Sequence, residues 1–414
     1  MIVGGEGPDV IDASGNRHLD FHSGWGHFSL GQQPLAIVQA AATQFQQLAN
    51  VTPGFVHAPA AVFAARLAQV TLGNLVKAFF STVGSESVDI AVKLARAYTG
   101  RAKIVACYRS YQGNNYSAGV LSGDPRRLPL ELGLPGVVYA QDCYRCPFKL
   151  EYPICDVYCA DHIADVIELE GPNQVAAVIA EPSVTGNGCL VPPPAYWLRL
   201  RKIFDRYGVL LIAAEVVTRF GRTGQRFACD HWNVVPDIMV LAKDLTADLQ
   251  PLGAVVMRAA LADYFEDHYL PAGLNYQAHP VACAAALAAI ETIEYNDLME
   301  NACLMGARLL AGLVALRQRH PAVGDLRGLR LYGTLELVRN RATRELLAAW
   351  HAPAAHSGGT QELNWHMLER GVRVAVRWNR MHVAPPLIAG EAEIDEGLAA
   401  IDYALVAADE LYTG

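Results

Sequence analysis

The chain has 414 residues, 52% of them hydrophobic and 18% charged, with a formal net charge of −8. That length exceeds one ordinary core and predicts two or three domains, and the mild negative charge argues against nucleic acid or an anionic membrane as partner. The opening MIVGGEGPDVIDASG lacks a basic start and an apolar core, and no uninterrupted apolar run reaches the length of a membrane span, so a cytoplasmic protein without a secretory signal is expected.

Taken in chain order, Val10-Ile11-Asp12 and Arg17-His18-Leu19-Asp20 flank the turn Ala13-Ser14-Gly15-Asn16 and predict a hairpin. A helix from about Leu35 to Leu48 follows. Phe79-Phe80-Ser81 leads into Thr82-Val83-Gly84-Ser85-Glu86, and Ser87 to Tyr98 has helical spacing. A glycine and hydroxyl residues before a helix form an anion cradle of backbone N–H groups, although the same pattern serves as a plain cap. Cys143, Cys146, Cys155 and Cys159 make a CxxC…CxxxC cluster in a proline-containing loop. Its spacing suits zinc, but free thiols packing a long loop in a reducing compartment are the expectation, with no metal.

The middle of the chain alternates strand-like and helix-like runs. Val175 to Ala180 is wholly apolar and ends in Glu181-Pro182; Pro192 to Tyr207 reads as a helix with Leu198, Leu200 and Ile203-Phe204 as its apolar face and Gly208 as its stop; Val209 to Ala213 and Ile238 to Ala242 are further buried strands. Such strands separated by helices predict an α/β fold, a mostly parallel sheet covered on both faces, with the carboxyl ends of its strands at one ligand-binding edge. Glu181, Ala214-Glu215 and Lys243 are expected to converge there. A lysine at the mouth of a buried strand is placed to form a Schiff base, because desolvation lowers its pKa and frees its lone pair. Downstream, Val281 to Ile293 reads as a short buried helix. Amphipathic helices over Leu298 to Arg319 and Glu391 to Glu410, with short strands around Leu331 to Leu337 and Val372 to Val376, predict a smaller α+β domain.

GSESVDIAVKLAR (Gly84 to Arg96), AEP (Ala180 to Pro182), EVVTRFGRTG (Glu215 to Gly224), PDIMVLAKDL (Pro236 to Leu245), HPVACAAALAAIE (His279 to Glu291) and APPL (Ala384 to Leu387) occur in that order. Together they resemble the class III aminotransferases, pyridoxal-phosphate enzymes of fold type I, and the likeness spans almost the whole chain. The resemblance implies a large cofactor-binding domain over 51–294, a C-terminal small domain over 295–414, and an N-terminal segment, 1–50, contributing to the latter. It implies pyridoxal 5′-phosphate as cofactor, and a homodimer with active sites at the interface. By position Lys243 looks like the Schiff-base lysine, Gly84 and Ser85 like the phosphate loop, and Tyr111 like the aromatic that stacks on the pyridine ring. Glu181 matches the acid after its strand, and Asn275 falls where a threonine usually reaches the phosphate from the partner.

Several cofactor-side positions depart from that pattern. The strand-end Asp-Glu pair is Ala214-Glu215, so the acid that normally holds the pyridine nitrogen is absent and the ring is a weaker electron sink. Glu215 faces the other way, because successive strand side chains alternate. Val83 stands for a usual serine, Gln112 for a histidine, Val217 for a residue that often contacts the ring hydroxyl, and Arg219 for a glycine; Asp244, Ala247, Asp248 and Ala278 stand where small residues are usual. Arg219 near the ring nitrogen would keep it unprotonated, but a guanidinium pointing to solvent or holding a substrate carboxylate is favoured.

The leading expectation is amino transfer between a small amine or amino acid and a keto acid through Lys243, with His22, Trp25 and Arg380 as candidate substrate contacts. Two readings stay beside it. A repurposed pyridoxal-phosphate enzyme (epimerase, decarboxylase, lyase or bond-forming) would tolerate altered ring electronics. A non-catalytic descendant would have no physical need for a buried lysine.

Overall fold

The apolar runs of the middle of the chain assemble into one seven-stranded sheet. A computed structural model describes residues 1–130, 137–353, 357 and 359–414. The strands lie in the order Leu75–Ser81, Gly253–Arg258, Ile238–Leu241, Leu210–Ala214, Val175–Ala180, Lys103–Cys107, Val137–Val138. The last five are mutually parallel, and Gly253–Arg258 runs antiparallel to both neighbours. Val175–Ala180, Leu210–Ala214 and Ile238–Leu241 are buried throughout, as runs without alternation must be when both sheet faces are covered. Ala180 pairs with Ala213 and Ala214 with Val240, so the three strands end at one edge.

Two helices position that edge. Helix Gly84–Thr99 buries Val88, Ala91, Leu94 and Ala95 and stops at Gly100, whose φ of 67° only glycine adopts freely. Helix Tyr196–Tyr207 starts four residues later than expected, since Pro192 to Pro194 hold the chain extended. It buries Trp197, Leu200, Ile203 and Phe204 but leaves Leu198 exposed. Leu198 lies off the stripe that Trp197, Leu200 and Phe204 trace, which corrects its place on the apolar face. The Trp197 indole N–H donates to the Pro182 carbonyl at 3.1 Å, packing the helix beneath the turn that carries Glu181.

The chain divides into two compact units. Ala36–Arg219 with Arg226–Glu291 contains the seven-stranded sheet; Met1–Leu35, Phe220–Gln225 and Thr292–Gly414 form the other. In the second unit the expected hairpin forms from Asp9–Asp12 and Arg17–Asp20, widened by Ile2–Glu6 on one side and Val372–Arg373 on the other. A further sheet joins Val323–Leu329, Tyr332–Asn340, Arg380–Val383 and Ala375–Arg377, with Glu345–Leu346 beside Tyr332–Asn340. The expected strand at Val372 to Val376 is therefore split between two sheets. Helix Leu298–Arg319 is long and apolar enough to cross a membrane. Its stripe Leu298, Ala302, Leu309, Leu313 and Leu316 is buried, and its Arg308 meets Asp395 at 2.6 Å on the packed helix Glu391–Asp409.

Candidate active site

Lys243 opens the turn Lys243–Thr246, directly after the strand Ile238–Leu241 and Ala242. Its φ of 48° is a left-handed conformation that costs an L-residue about 1–2 kcal/mol and persists where surrounding structure over-determines it. The side chain keeps partial exposure, yet its pKa is lowered, first by desolvation of the ammonium and then by Arg219. A lowered pKa raises the share of neutral, nucleophilic amine.

Close contacts bring the anion cradle to this amine. A Cβ on Gly84 would lie 3.2 Å from the Ala242 methyl, so the start of helix Gly84–Thr99 rests against the residue before Lys243. Gly113, at φ 142°, rests on the same turn: a Cβ there would come within 2.4 Å of the Ser85 Cβ. The loop Ser110 to Gly113 is thus seated on the helix N-terminus. Gly113→Ala should weaken cofactor binding about 10–100-fold through strain and overpacking, read by titrating the apoprotein with pyridoxal phosphate.

Glu181 ties this loop to the sheet edge. Its carboxylate accepts from the Tyr111 N–H at 2.8 Å and from the Thr185 N–H at 3.1 Å. Burial pushes its pKa up to about 7, against those two N–H donors and the charge of Lys243, which act to lower it. The Arg126 guanidinium lies 3.6 Å over one face of the Tyr111 ring. A planar ligand would stack on the opposite face. Gln112 donates its N–H to Ser122 Oγ at 2.9 Å, while its own side-chain amide is buried with no hydrogen-bond partner among the described residues. A buried amide in that state calls for a ligand.

The strand end offers no acid. Ala214 is buried and carries only a methyl group. Glu215 points away, as alternation requires: it is fully buried, accepts from the Cys229 N–H at 2.8 Å and bonds the Thr218 hydroxyl. Val217 is partly exposed beside Val216. Val216 escaped sequence reasoning, because a valine between a glutamate and a loop carries no signal. Its side chain lies 3.6 Å from where a Gly84 Cβ would sit, at the cradle. Arg219 does not reach solvent: it is fully buried and donates to the carbonyls of Glu215, at 3.1 Å, and Val216. This overturns the expected solvent-facing guanidinium.

Ala247, Asp248 and Ala278, where small residues are usual, have φ of 49°, 63° and 51°. These are glycine-like conformations held by L-residues. Ala278→Gly should therefore raise stability by about 0.5–1 kcal/mol after the entropic cost of glycine, visible as a higher Tm.

The remaining candidates are Asn275, in the same unit, and His22, Trp25 and Arg380, in the other. Asn275 is exposed in the loop before helix Pro280–Tyr295, where the Ala278 carbonyl accepts from His57 Nε2 at 2.9 Å. His22, Trp25 and Arg380 belong to the other unit and cluster there. The His22 and Trp25 rings are 4.6 Å apart, Trp25 and His382 are 5.1 Å apart, and Arg380 lies 4.5 Å over Trp350 and 3.9 Å from Glu336. Ser23, Gly24, Trp25 and Gly26 have φ of 46°, 55°, 71° and 76°, a left-handed turn that marks a constrained loop. Burial holds the His382 imidazole well below its usual pKa, with His22 and Arg380 adding to the effect. The cysteines Cys143, Cys146, Cys155 and Cys159 are free thiols, and burial together with the other three pushes Cys159 up to about 12. Among the described residues no three ligating side chains are arranged to hold a metal.

These groups fit pyridoxal phosphate at three points and not at a fourth. Lys243 would meet the aldehyde, the Gly84–Ser85 cradle would hold the phosphate, and Tyr111 with the Gln112 amide would face the ring. Nothing at Ala214 meets a protonated ring nitrogen.

The family profile "Aminotransferase class-III" matches residues 1–405. A probable aminotransferase of Mycobacterium tuberculosis is 34% identical, covering 95% of this chain and 87% of its own. The leucine/methionine racemase of Thermococcus litoralis is 33% identical, covering 99% and 91%. The crystal structure of taurine:2-oxoglutarate aminotransferase from Bifidobacterium kashiwanohense, in complex with pyridoxal phosphate and glutamate, superposes with a TM-score of 0.93 at 33% identity, covering 99% and 93%.

Proposed function

The chain belongs to the class III aminotransferases, pyridoxal-phosphate-dependent enzymes, and on that premise we propose that it moves an amino group between a small amine bearing an acidic group and a keto acid. The observation that carries this reading is the joint approach of Gly84 to Ala242 and of Gly113 to Ser85, which gathers amine, anion cradle and aromatic face in one place. Bound there, pyridoxal phosphate supplies the electron sink through which an amino group leaves one carbon and joins another.

The protein's own groups do the rest. The N–H groups of the first turn of helix Gly84–Thr99 and the helix dipole bind the phosphate dianion. Lys243 Nζ would hold the aldehyde end of the cofactor and, as the neutral amine, would accept the proton from the substrate carbon. Glu181 holds the loop that carries Tyr111 in place through the Tyr111 N–H. Within the other unit, Arg380 is a buried cation among aromatic rings, with His22 and Trp25 in the same cluster, and its chemistry suits a carboxylate or sulfonate. The support is its chemistry and the acidic substrates in the name and complex of the B. kashiwanohense enzyme. Incubation with 15N-labelled taurine, glutamate or β-alanine and a keto acid tests the reading: label should appear in the new amino acid, and its absence with every donor would contradict it.

A second reading rests on Ala214. Without an acid at the ring nitrogen, chemistry that returns the proton to the same carbon is less impaired than transfer, and a racemase is among the relatives. Its signature is label retained in a product of inverted configuration.

Assembly and cellular setting complete the proposal. Phe45, Phe55, Val56, Val62 and Tyr276 are exposed in the unit that holds the sheet, which also has a groove of about 500 Å³ lined by Gln44, Leu48, Val62 and Leu287. Such a surface suits a homodimer in which the exposed Asn275 serves the neighbouring site. Light scattering should give twice the chain mass, and a monomer would count against it. Nine free cysteines accord with a reducing, cytoplasmic setting.

A further inference from the structure

The segment that carries Tyr111 is zipped to the segment that follows it. Tyr108 bridges to Gly123, the Arg109 N–H donates to the Gly123 carbonyl at 3.0 Å, and the Gln112 N–H donates to Ser122 Oγ at 2.9 Å. A Cβ on Gly123 would lie 2.3 Å from the Cys107 carbonyl oxygen, so the two backbones touch. This zip delivers two consecutive arginines of the turn Pro125–Leu130 to two aromatic rings. The Arg127 guanidinium lies 5.6 Å from the centre of the Tyr108 ring, and that of Arg126 lies 3.6 Å from the centre of the Tyr111 ring.

Arg126 is gripped in one orientation. Its Nε donates to Asp124 Oδ1 at 2.7 Å and its Nη2 to Asp124 Oδ2 at 3.2 Å, a bidentate hold that fixes the plane of the guanidinium. The Asp124 side chain is itself fully buried, and it also accepts from the Arg126 N–H at 3.0 Å and from Asn187 Nδ2 at 3.1 Å. Glu181 fixes the Tyr111 N–H, but that bond leaves the two side-chain torsions of the ring unset. A flat cation laid over one face of the ring sets them and leaves the opposite face for a planar ligand.

We propose that Arg126, anchored on Asp124, is a positioning residue that locks the plane of the Tyr111 ring and so presents one aromatic face to the cofactor. This rests on the reading of Tyr111 as the aromatic that stacks on the pyridine ring. Arginine suits the task because its guanidinium is planar, always charged and matched to a carboxylate at two points, whereas a lysine ammonium is a point charge on a flexible stem. Tyr111 is then held twice, by Glu181 at its backbone and by Arg126 at its ring.

The experiment is a double-mutant cycle on the full chain. Arg126→Ala should weaken pyridoxal-phosphate binding to the apoprotein about 5–30-fold, read by absorbance titration. In a Tyr111→Leu background the same substitution should change affinity less than about twofold, because no ring is left to position. A readout without cofactor is the fluorine NMR spectrum of apoprotein carrying 3-fluorotyrosine, with the Tyr111 line assigned by its loss in Tyr111→Phe; Arg126→Ala should move that line. Thermal unfolding reports that each variant is folded. Should Arg126→Ala fail to fold, Arg126→Gln, which still reaches Asp124 but carries no cationic plane, takes its place with the same expectation. Tighter binding in the Arg126 variant would show that the guanidinium fills the ligand's face, and it would overturn the proposal, as would an equal loss in both backgrounds or an unmoved fluorine line. A moved line in protein that takes up no pyridoxal phosphate would sink the cofactor reading and leave the ring clamp standing.

Discussion

Replacing Ala214 with aspartate is expected to speed amino-group transfer by on the order of a hundredfold and to tighten pyridoxal-phosphate binding. Ala214 closes its strand at the buried edge, paired with Val240, three residues before Lys243. Its side chain lies on the face opposite Glu215, whose carboxylate is already engaged by Thr218 and Cys229. A carboxylate there would meet the ring nitrogen of the cofactor, favour its protonated form and so stabilise negative charge that develops at the substrate carbon. The effect on stability has the opposite sign in the apoprotein. An added buried carboxylate without a partner costs about 3–5 kcal/mol, so apo Ala214→Asp should melt lower than the parent while the cofactor-loaded variant recovers. Single-turnover conversion of an amine donor reads the rate. A rate that stays the same or falls, with cofactor bound, would show that Ala214 does not face the ring nitrogen.

Lys243→Ala should remove covalent capture of pyridoxal phosphate and lower transfer by about four orders of magnitude, because nucleophile and proton carrier are lost together. Lys243→Arg should fail equally: a guanidinium holds its proton and offers no lone pair, although it keeps the positive charge. The two variants separate chemistry from electrostatics. Lys243→Ala should not melt far below the parent, since it removes a buried amine whose ammonium form is disfavoured by desolvation and by Arg219. A visible cofactor band that persists in Lys243→Ala, with turnover, would assign the amine elsewhere.

The sheet was legible because its strands are unbroken apolar runs, and unbroken runs have one stable solution, a parallel sheet covered on both faces. The convergence of Glu181, Ala214 and Lys243 followed from the same argument, and the structure ends those strands at one edge. The short elements were less legible. Ile2–Glu6 has two glycines among five residues and no alternation to mark it, and Val372–Arg373 pairs with Arg17–Asp20 across more than three hundred residues of chain. Arg219 was misjudged for a physical reason. A lone arginine in a loop reads as solvated, and its burial becomes visible only when the Glu215 and Val216 carbonyls are seen around it. Val216 gave no signal, because its role depends on contact with the Gly84 turn rather than on residue type.

On the proposed reading, the ε-amino group of Lys243 captures the aldehyde of pyridoxal phosphate. Borohydride reduction of the loaded protein followed by peptide mapping tests it most directly. One phosphopyridoxyl group per chain is expected, carried on Lys243. A label on any other lysine, or no label after reconstitution, would contradict it.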